Sequence, residues 1–182
     1  PALADMQNAV IPDTPAVAED YSSIDDQRDP SCKFERWVAE EDGRVIGFGQ
    51  YDQDIWTLQQ GEFTLRIRVY PQHQRRGIGS ALYDRIMEAI QPFEPTVLRV
   101  YTRSDLPQGM RFAAKRGFTE FQRNRQSDLK VTDFDFGPYA DVPERMRRLG
   151  IEIRTLPELA ADPDRDQKLY DLDWEHWKNP NE

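Results

Sequence analysis

The stretch from Val69 to Ser80, VYPQHQRRGIGS, decides the fold of this chain. It follows a segment, Glu62–Tyr70, in which apolar and polar side chains alternate, as expected of a strand with one buried face. Pro71 ends that strand, because proline lacks the N–H that a sheet ladder requires. Residues 78–90 then place apolar side chains at helical spacing. The sequence therefore predicts a strand, a glycine-containing loop and a helix in succession.

The loop itself has the composition of an anion site. Gly77 and Gly79 allow the backbone to turn so that successive N–H groups point into one hollow, beside the first turn of the helix. Ser80 is small and adds a hydroxyl, while Arg75 and Arg76 add positive potential. The strand before the glycines and the helix after them favour a phosphate-binding loop over an ordinary turn. No Walker lysine follows the glycines, which argues against an unrelated nucleotide-binding module.

Composition limits the classes of protein to consider. A length of 182 residues suits one domain of ordinary size with a piece left over. An aromatic content of 11% argues against disorder, and no apolar run has the length of a membrane span. The single Cys32 has no cysteine to pair with and no neighbours at metal-ligand spacing. We therefore expect a cytoplasmic protein that binds neither a membrane nor a metal.

The charge is unevenly distributed along the chain. The net charge is -9, yet residues 62–150 carry 16 basic and 11 acidic side chains. The segments on both sides of that range are acidic. This pattern argues against nucleic-acid binding by the chain as a whole and suits a small polyanion bound by the middle segment.

Further helices and strands are predicted on both sides of the loop. Asp42-Gly43 is a dipeptide typical of a tight hairpin turn, which demands positive φ. Before the loop we expect two helices, over residues 3–11 and from Pro15 with Thr14 as N-cap, and hairpin strands over residues 34–40 and 45–51. After the loop we expect a strand over residues 96–102, a helix from Ser104 or Asp105 to Lys115, strands over 118–123 and 129–136, and a helix over 143–149.

The segment from Val69 to Gly79, VxPxxQRRGIG, resembles motif A of the GCN5-related N-acetyltransferases (GNAT family). The core of that motif, Arg/Gln-x-x-Gly-x-Gly/Ala, is matched at Gln74, Gly77 and Gly79. The order of predicted elements between residues 3 and 136 is also similar to that of the family. The resemblance implies an α+β fold of α/β/α layers, with helices flanking a mixed central sheet. That sheet would splay open between the strand before the loop and the strand after the following helix.

The resemblance also implies a co-substrate, acetyl-CoA, and no metal. The pantetheine arm would pair with the backbone of the strand, and the pyrophosphate would lie on amides of the loop. The implied binding residues are Ile67, Arg68, Val69, Gln74, Arg75, Arg76, Gly77, Ile78, Gly79 and Ser80. The acceptor would be the amine of a small molecule or peptide, and the acidic balance outside the loop region weakly favours a cationic one.

The catalytic groups are less well matched. By its position early on the strand, Glu62 is the implied general base, although a glutamate there can also simply begin an exposed strand edge. A backbone N–H near Val69 is the implied oxyanion donor. In the segment from Phe112 to Phe118, Ala113 takes the place of the family's acidic tyrosine. Tyr101 and Tyr70 are the candidates to replace that tyrosine as proton donor to the departing thiolate. The alternative function is a catalytically weak acyl-CoA-binding or scaffolding repeat.

The two ends of the chain suggest a tandem arrangement. Family members begin with a strand, whereas this chain opens directly in the following helix. Residues 150–156, GIEIRTL, look like that missing strand, and a helix is expected over residues 165–177 with an apolar spacing similar to that of the opening helix. We predict a GNAT domain over residues 1–142, then a linker helix and the opening of a second GNAT repeat over residues 143–182. Alternatively, the tail fills the vacant strand position, within the chain or in a homodimer.

Overall fold

The computed structural model describes residues 1–53 and 61–178, except the side chain of Trp177. Two compact units divide between Gln122 and Arg123. The first unit contains helices α1 (Ala2–Val10), α2 (Ala18–Asp26), α3 (Ile78–Ile90) and α4 (Pro107–Ala114). Its strands are β1 (Phe34–Glu41), β2 (Arg44–Asp52), β3 (Glu62–Val69) and β4 (Val97–Val100).

Strands β1 and β2 form the predicted hairpin. They pair antiparallel from Phe34 opposite Asp52 to Glu41 opposite Arg44. The two turn residues, Asp42 and Gly43, have φ of 50° and 73°. A two-residue turn with both φ values positive matches the right-handed twist of the strands, so the Asp-Gly dipeptide fixes the register here.

Replacing Gly43 should destabilise the fold through backbone strain alone. A Cβ at this position would meet nothing within 4 Å, so no steric clash contributes. The positive φ remains, and we expect Gly43→Ala to lower the free energy of unfolding by about 1 kcal/mol. Urea denaturation of both proteins measures the difference. Equal midpoints with equal slopes would show that the turn does not constrain the hairpin.

The described sheet is mixed and has the order β1-β2-β3-β4. Strand β3 pairs antiparallel with β2 over Thr64–Val69 and parallel with β4, but the parallel ladder extends only from Glu62 to Leu65. Beyond Leu65 the two strands separate, which leaves the second half of β3 without a described neighbour on that side. This is the splayed, mixed sheet flanked by helices that the family resemblance implies.

The alternation along β3 sends its side chains to two different helical layers. Phe63 and Leu65 are buried and belong to the core cluster with Tyr51, Ile86 and Ile90, the last two from α3. Arg68 projects from the opposite face and is bound by side chains of α1 and α2. Strand β3 therefore lies between the two helical layers.

Two helices begin later than predicted. Helix α2 was expected from Pro15, but the Asn8 side chain holds both the N–H and the carbonyl of Ala16, and the helix starts at Ala18. Helix α4 starts at Pro107 rather than after a Ser104 or Asp105 cap. The Asp105 carboxylate instead accepts hydrogen bonds from Arg103. In both cases a contact with a side chain occupies the groups that capping would use.

The predicted strands over residues 118–123 and 129–136 are wrong. Residues 119–130 have no regular secondary structure, and Phe121 is 90% exposed. The run from 122 to 128 is entirely polar, so it offers no apolar face to a sheet. Further on, Phe134 packs against the rings of Phe136 and Tyr139 at centroid distances of 4.7 and 5.6 Å instead of alternating across a ladder.

The second unit begins at Arg123 and contains the helices α5 (Val142–Arg148) and α6 (Arg165–Lys178). Helix α6 confirms the predicted helix over residues 165–177. The strand expected over residues 150–156 is absent from the described residues, and this segment is exposed and forms neither a helix nor a strand. None of the described side chains of this unit is fully buried. The predicted division into 1–142 and 143–182 stays a prediction, and its last residues, 179–182, lie outside the described residues.

Over residues 1–53 and 61–178, no helix is both long and apolar enough to cross a membrane.

Candidate functional site

A cavity of about 630 Å³ opens where β3 and β4 separate. It is lined by the second half of β3, the loop before α3, the end of β4 and helix α4. Val10 and Ile11 close it on the α1 side. The cavity therefore lies in the gap that the splayed sheet creates, entirely within the first unit.

Along the edge of β3, backbone groups with no described strand partner face this gap. The Tyr70 N–H donates to the Ile46 carbonyl on the β2 side, at 3.0 Å. Because N–H directions alternate along a strand, those of Ile67 and Val69 point the other way, towards the gap. The Val69 carbonyl on that side accepts a 3.0 Å hydrogen bond from the side-chain amide of Gln74. An extended ligand could pair with the remaining groups as a strand would.

The loop between β3 and α3 has the backbone of an anion site. Arg75 and Gly77 have φ of 63° and 87°, whereas the intervening Arg76 has negative φ. This alternation turns successive N–H groups to one side. Helix α3 begins at Ile78, and the N–H groups of Ile78 and Gly79 lie in its first turn, where no intrahelical acceptor exists. The loop and the positive end of the helix dipole together suit a phosphate.

Helix α4 forms the opposite wall of the loop. A Cβ on Gly79 would lie 3.3 Å from the Phe112 ring, so the loop and the ring are nearly in contact. The Arg116 guanidinium lies 3.5 Å from the centroid of the same ring and donates a 2.8 Å hydrogen bond to the Ser80 hydroxyl. Arg116 thereby joins the start of α3 to the end of α4 at the rim of the cavity.

The charged groups of the lining have one sign. Among the described lining residues there is no aspartate or glutamate. The cationic lining residues are Arg66, Arg68, Arg75, Arg103, Arg111, Lys115 and Arg116. Low-dielectric walls concentrate the field of such groups, so the cavity attracts anions. The acidic side chains, which suggested a cationic acceptor, lie outside the described lining.

Most of the residues predicted for the cofactor line the cavity, but two do not. Arg76 turns away and pairs with Glu41 at the end of β1, at 2.5 Å, and with the His73 ring at 3.0 Å. The hydrogen bond from Arg76 holds the pKa of the Glu41 carboxyl below its ordinary range. The Ile78 side chain packs close to Gly47 on β2. Arg76 and Ile78 can therefore contribute through their backbone only.

Glu62 does not have the surroundings expected of a general base. It lies at the paired end of β3, opposite Val97, and does not line the cavity. Its carboxylate forms an ion pair with Arg99 on β4, and its side chain is 11% exposed. This arrangement corresponds to the structural alternative, a glutamate that holds the ends of two parallel strands together.

The tyrosine position of α4 faces the cavity but offers only a methyl group. Ala113 belongs to the lining, as does Tyr101 at the end of β4. Tyr101 is 80% exposed, so its hydroxyl is accessible. Tyr70 is not part of the lining, and burial raises the pKa of its phenol. Of the two substitutes named from the sequence, Tyr101 is the one that the fold brings to the cavity.

Arg103 connects two loops at the mouth of the cavity, the one between α1 and α2 and the one before α4. Its guanidinium donates two hydrogen bonds to Asp13, at 2.8 and 2.6 Å, and two to Asp105, at 2.9 and 2.6 Å. Asp13 lies between α1 and α2, and Asp105 lies before α4. The Arg103 hydrogen bonds lower the pKa of both carboxyl groups.

We predict that Arg103→Gln raises the carboxyl pKa of Asp13 towards its ordinary value of 3.8. Because the native pKa of Asp13 is depressed, its ion pair with Arg103 is fully formed at a pH above the ordinary pKa. The ion pair is lost as the pH falls through the depressed pKa of the native protein. NMR titration of the aspartate carboxyl carbons measures both values. Asp29 is the internal control, because its lowered pKa depends on Ser31 instead. A native Asp13 that titrates at its ordinary value would contradict the contact.

Several lining residues were not predicted from the sequence. No local motif contains Arg66, Arg111 or Lys115. The sequence indicated them only through the excess of basic over acidic side chains in residues 62–150. The contact between Ser80 and Arg116 joins positions far apart in the chain, so no local spacing indicates it. His73 lines the cavity but is engaged with Glu41 at 3.4 Å.

The model of the Acetyltransferase (GNAT) family matches residues 3–118 of the chain. The matched range contains both strands of the gap, the glycine loop, helices α2, α3 and α4, and α1 from its second residue onward. No curated protein matches the chain.

Solved structures share this fold at low sequence identity. Ribosomal-protein-alanine N-acetyltransferase from Brucella melitensis is 20% identical with a TM-score of 0.53, and the match covers 66% of this chain and 76% of that one. An acetyltransferase from Trypanosoma brucei is 16% identical with a TM-score of 0.50, covering 70% and 91%. AAC(6')-Iy in complex with the bisubstrate analogue CoA-S-monomethyl-acetylneamine is 16% identical with a TM-score of 0.51, covering 71% and 90%.

Proposed function

Because the chain belongs to the GNAT acetyltransferase family, we propose that it transfers an acetyl group from acetyl-CoA to the amine of an acceptor molecule. The observation that carries this proposal is the cavity between β3 and β4, bordered by the unpaired edge of β3 and the glycine loop. AAC(6')-Iy, one of the structural neighbours of this chain, was solved with a bisubstrate analogue that contains CoA.

The residues of the cavity suit the parts of acetyl-CoA. N–H groups of the loop from Gln74 to Ser80 would hold the pyrophosphate, with Arg75 and Arg116 adding positive charge. The N–H and carbonyl groups of Ile67, which face the gap, would pair with the amides of the pantetheine arm, as a strand would. In this arrangement most of the contacts come from the backbone.

The chemistry asked of the protein is modest. Acetyl-CoA supplies an activated thioester, whose C–S bond breaks as the amine nitrogen forms a C–N bond to the acetyl carbon. The Val69 N–H, which points towards the gap, would stabilise negative charge on the acetyl carbonyl oxygen. The acceptor ammonium loses two protons overall: the departing thiolate takes up the equivalent of one, and the other is released to water. Tyr101 is our candidate for that proton donor, because its accessible hydroxyl lines the cavity.

A second candidate function follows from Ala113. With a methyl group where a proton donor is usual, the unit would bind acyl-CoA with little turnover and act as a scaffolding repeat beside an active domain. Calorimetric titration with acetyl-CoA, followed by thiol release across a panel of amines, separates the two functions. Binding with amine-dependent release supports the transferase, and binding without release supports the scaffold. No binding would exclude both.

The remaining features of the proposal concern the surroundings of the protein. We propose a cytoplasmic location, consistent with a single cysteine. We also propose that residues 143–182 connect to a second GNAT domain or take part in a homodimer. We propose neither a metal cofactor nor a nucleic-acid partner. Over the described residues, no group of three or more histidine, cysteine and acidic side chains could hold a metal ion.

A further inference from the structure

Two arginines on the α1 face of β3 lack an anionic partner. Arg66 and Arg68 alternate with the core-facing residues of the strand, and both line the cavity. The Arg68 guanidinium donates to the Gln7 amide oxygen at 2.7 Å and to the Tyr21 hydroxyl at 2.9 Å. Both partners are neutral. Within residues 1–53 and 61–178, neither arginine forms an ion pair with a carboxylate.

The burial of Arg68 carries an energetic cost. Burial lowers the pKa of the Arg68 guanidinium, and the nearby positive charge of Arg66 lowers it further. Cations removed from water are normally compensated by an anion, because the loss of hydration is otherwise uncompensated. Arg103, across the cavity, differs because Asp13 and Asp105 already neutralise it. Among the described residues on the α1 face of β3, the unneutralised positive charge is therefore that of Arg66 and Arg68.

The position of the pair separates it from the phosphate loop. The loop and its cations, Arg75 and Arg116, lie where α3 and α4 meet, on the core-facing side of β3. Arg66 and Arg68 project towards α1 and α2, from the opposite face. A ligand that occupied both faces would pass through the gap, with the reacting atoms near the edge of β3. The arginine pair then belongs to the acceptor side.

We infer that the acceptor is a small amine that carries a carboxylate, and that Arg66, assisted by Arg68, binds this carboxylate. The inference rests on the proposed function and names the substrate class of its site. A guanidinium presents two parallel donors, which match the two oxygens of a carboxylate. Arg66 is the better direct ligand because it is exposed and makes no hydrogen bond or ion pair within the described residues, whereas Arg68 already uses one of its nitrogens.

Calorimetric titration of paired amines tests the inference. L-alanine, β-alanine and 4-aminobutanoate are each compared with the corresponding carboxamide, with and without saturating CoA. We expect at least one acid to bind about tenfold more tightly than its amide, the effect of one charge-assisted hydrogen bond. The Arg66→Gln variant should lose this preference, and Arg66→Lys should recover part of it. Arg44→Gln is the matched control, with the same loss of charge on an exposed hairpin residue outside the cavity.

The outcomes distinguish this inference from the proposed function. If the acid and the amide bind equally in every pair while acetyl-CoA still binds, the inference is overturned and the proposed function stands. A preference that survives Arg66→Gln, or an Arg66→Gln effect confined to acetyl-CoA, would overturn it too. If 2-aminoethyl phosphate binds more tightly than ethanolamine while no acid binds more tightly than its amide, the inference of a carboxylate is overturned, and the anion that the site recognises is a phosphate. Failure of acetyl-CoA to bind would contradict the proposed function, whereas the titrations without CoA would still report the anion preference.

Discussion

Replacing Gly79 with tryptophan should abolish acetyl-CoA binding. Gly79 lines the cavity in the first turn of α3, and a Cβ there would already lie 3.3 Å from the Phe112 ring. An indole has no room between this ring and the loop, so it must fill the space beside the N–H groups. A clash costing about 3 kcal/mol corresponds to about a 100-fold loss of affinity, which we expect as a minimum in calorimetric titration.

A matched substitution controls for effects of a bulky residue on the helix. Glu88→Trp introduces the same side chain on α3, at an exposed position outside the cavity lining. It should bind acetyl-CoA as tightly as the native protein. Circular dichroism and thermal melting of both variants establish that they are folded. Equal affinities of Gly79→Trp and Glu88→Trp would mean that the loop does not contact the cofactor.

Truncating Phe63 should have the largest effect on stability. Its side chain is 1% exposed and meets the Tyr51 ring edge-on, with the centroids 5.5 Å apart. Phe63→Ala removes this contact and leaves a cavity beneath α3, so we expect a loss of about 3–5 kcal/mol in the free energy of unfolding. Because domains are stable by only about 5–15 kcal/mol, this is a large fraction of the total. Urea denaturation followed by circular dichroism measures it.

The same substitution on the surface provides the control. Phe121 is 90% exposed, and Phe121→Ala should change the stability by no more than about 0.5 kcal/mol. If Phe121→Ala were as destabilising as Phe63→Ala, the segment after Phe118 would have to pack as the sequence pattern suggested. That result would contradict the exposed, irregular segment seen in the structure.

The features that depend on local sequence were predictable. Helix α3 runs from Ile78 to Ile90, as its apolar spacing indicates, and the hairpin turns at Asp42-Gly43. Each of these follows from the chemistry of neighbouring residues: a proline that ends a strand, glycines that accept positive φ, and an apolar face every three to four positions. The same local signals identified the loop and, through the GNAT resemblance, the splayed sheet.

The features that depend on distant contacts were not predictable. The ion pair of Glu62 depends on Arg99, which reaches it from the neighbouring strand, and no local spacing indicates this partner. The charge of the cavity depends on side chains from β3, α4 and the loops, and no stretch of sequence shows that they converge. The segment after Phe118 alternates like a strand only in part, and its polar run decides against pairing.

The formation of an N-acetylated amine from acetyl-CoA tests the central claim most directly. Mass spectrometry of the reaction mixture, with the amino acids and amides of the binding experiment as acceptors, detects the product without assuming which group acts as acid. We predict acetylated product with the native protein, none with Gly79→Trp, and faster formation from an acid than from its amide. Tight binding of acetyl-CoA without acetylation of any amine would contradict the transferase and leave the acyl-CoA-binding repeat.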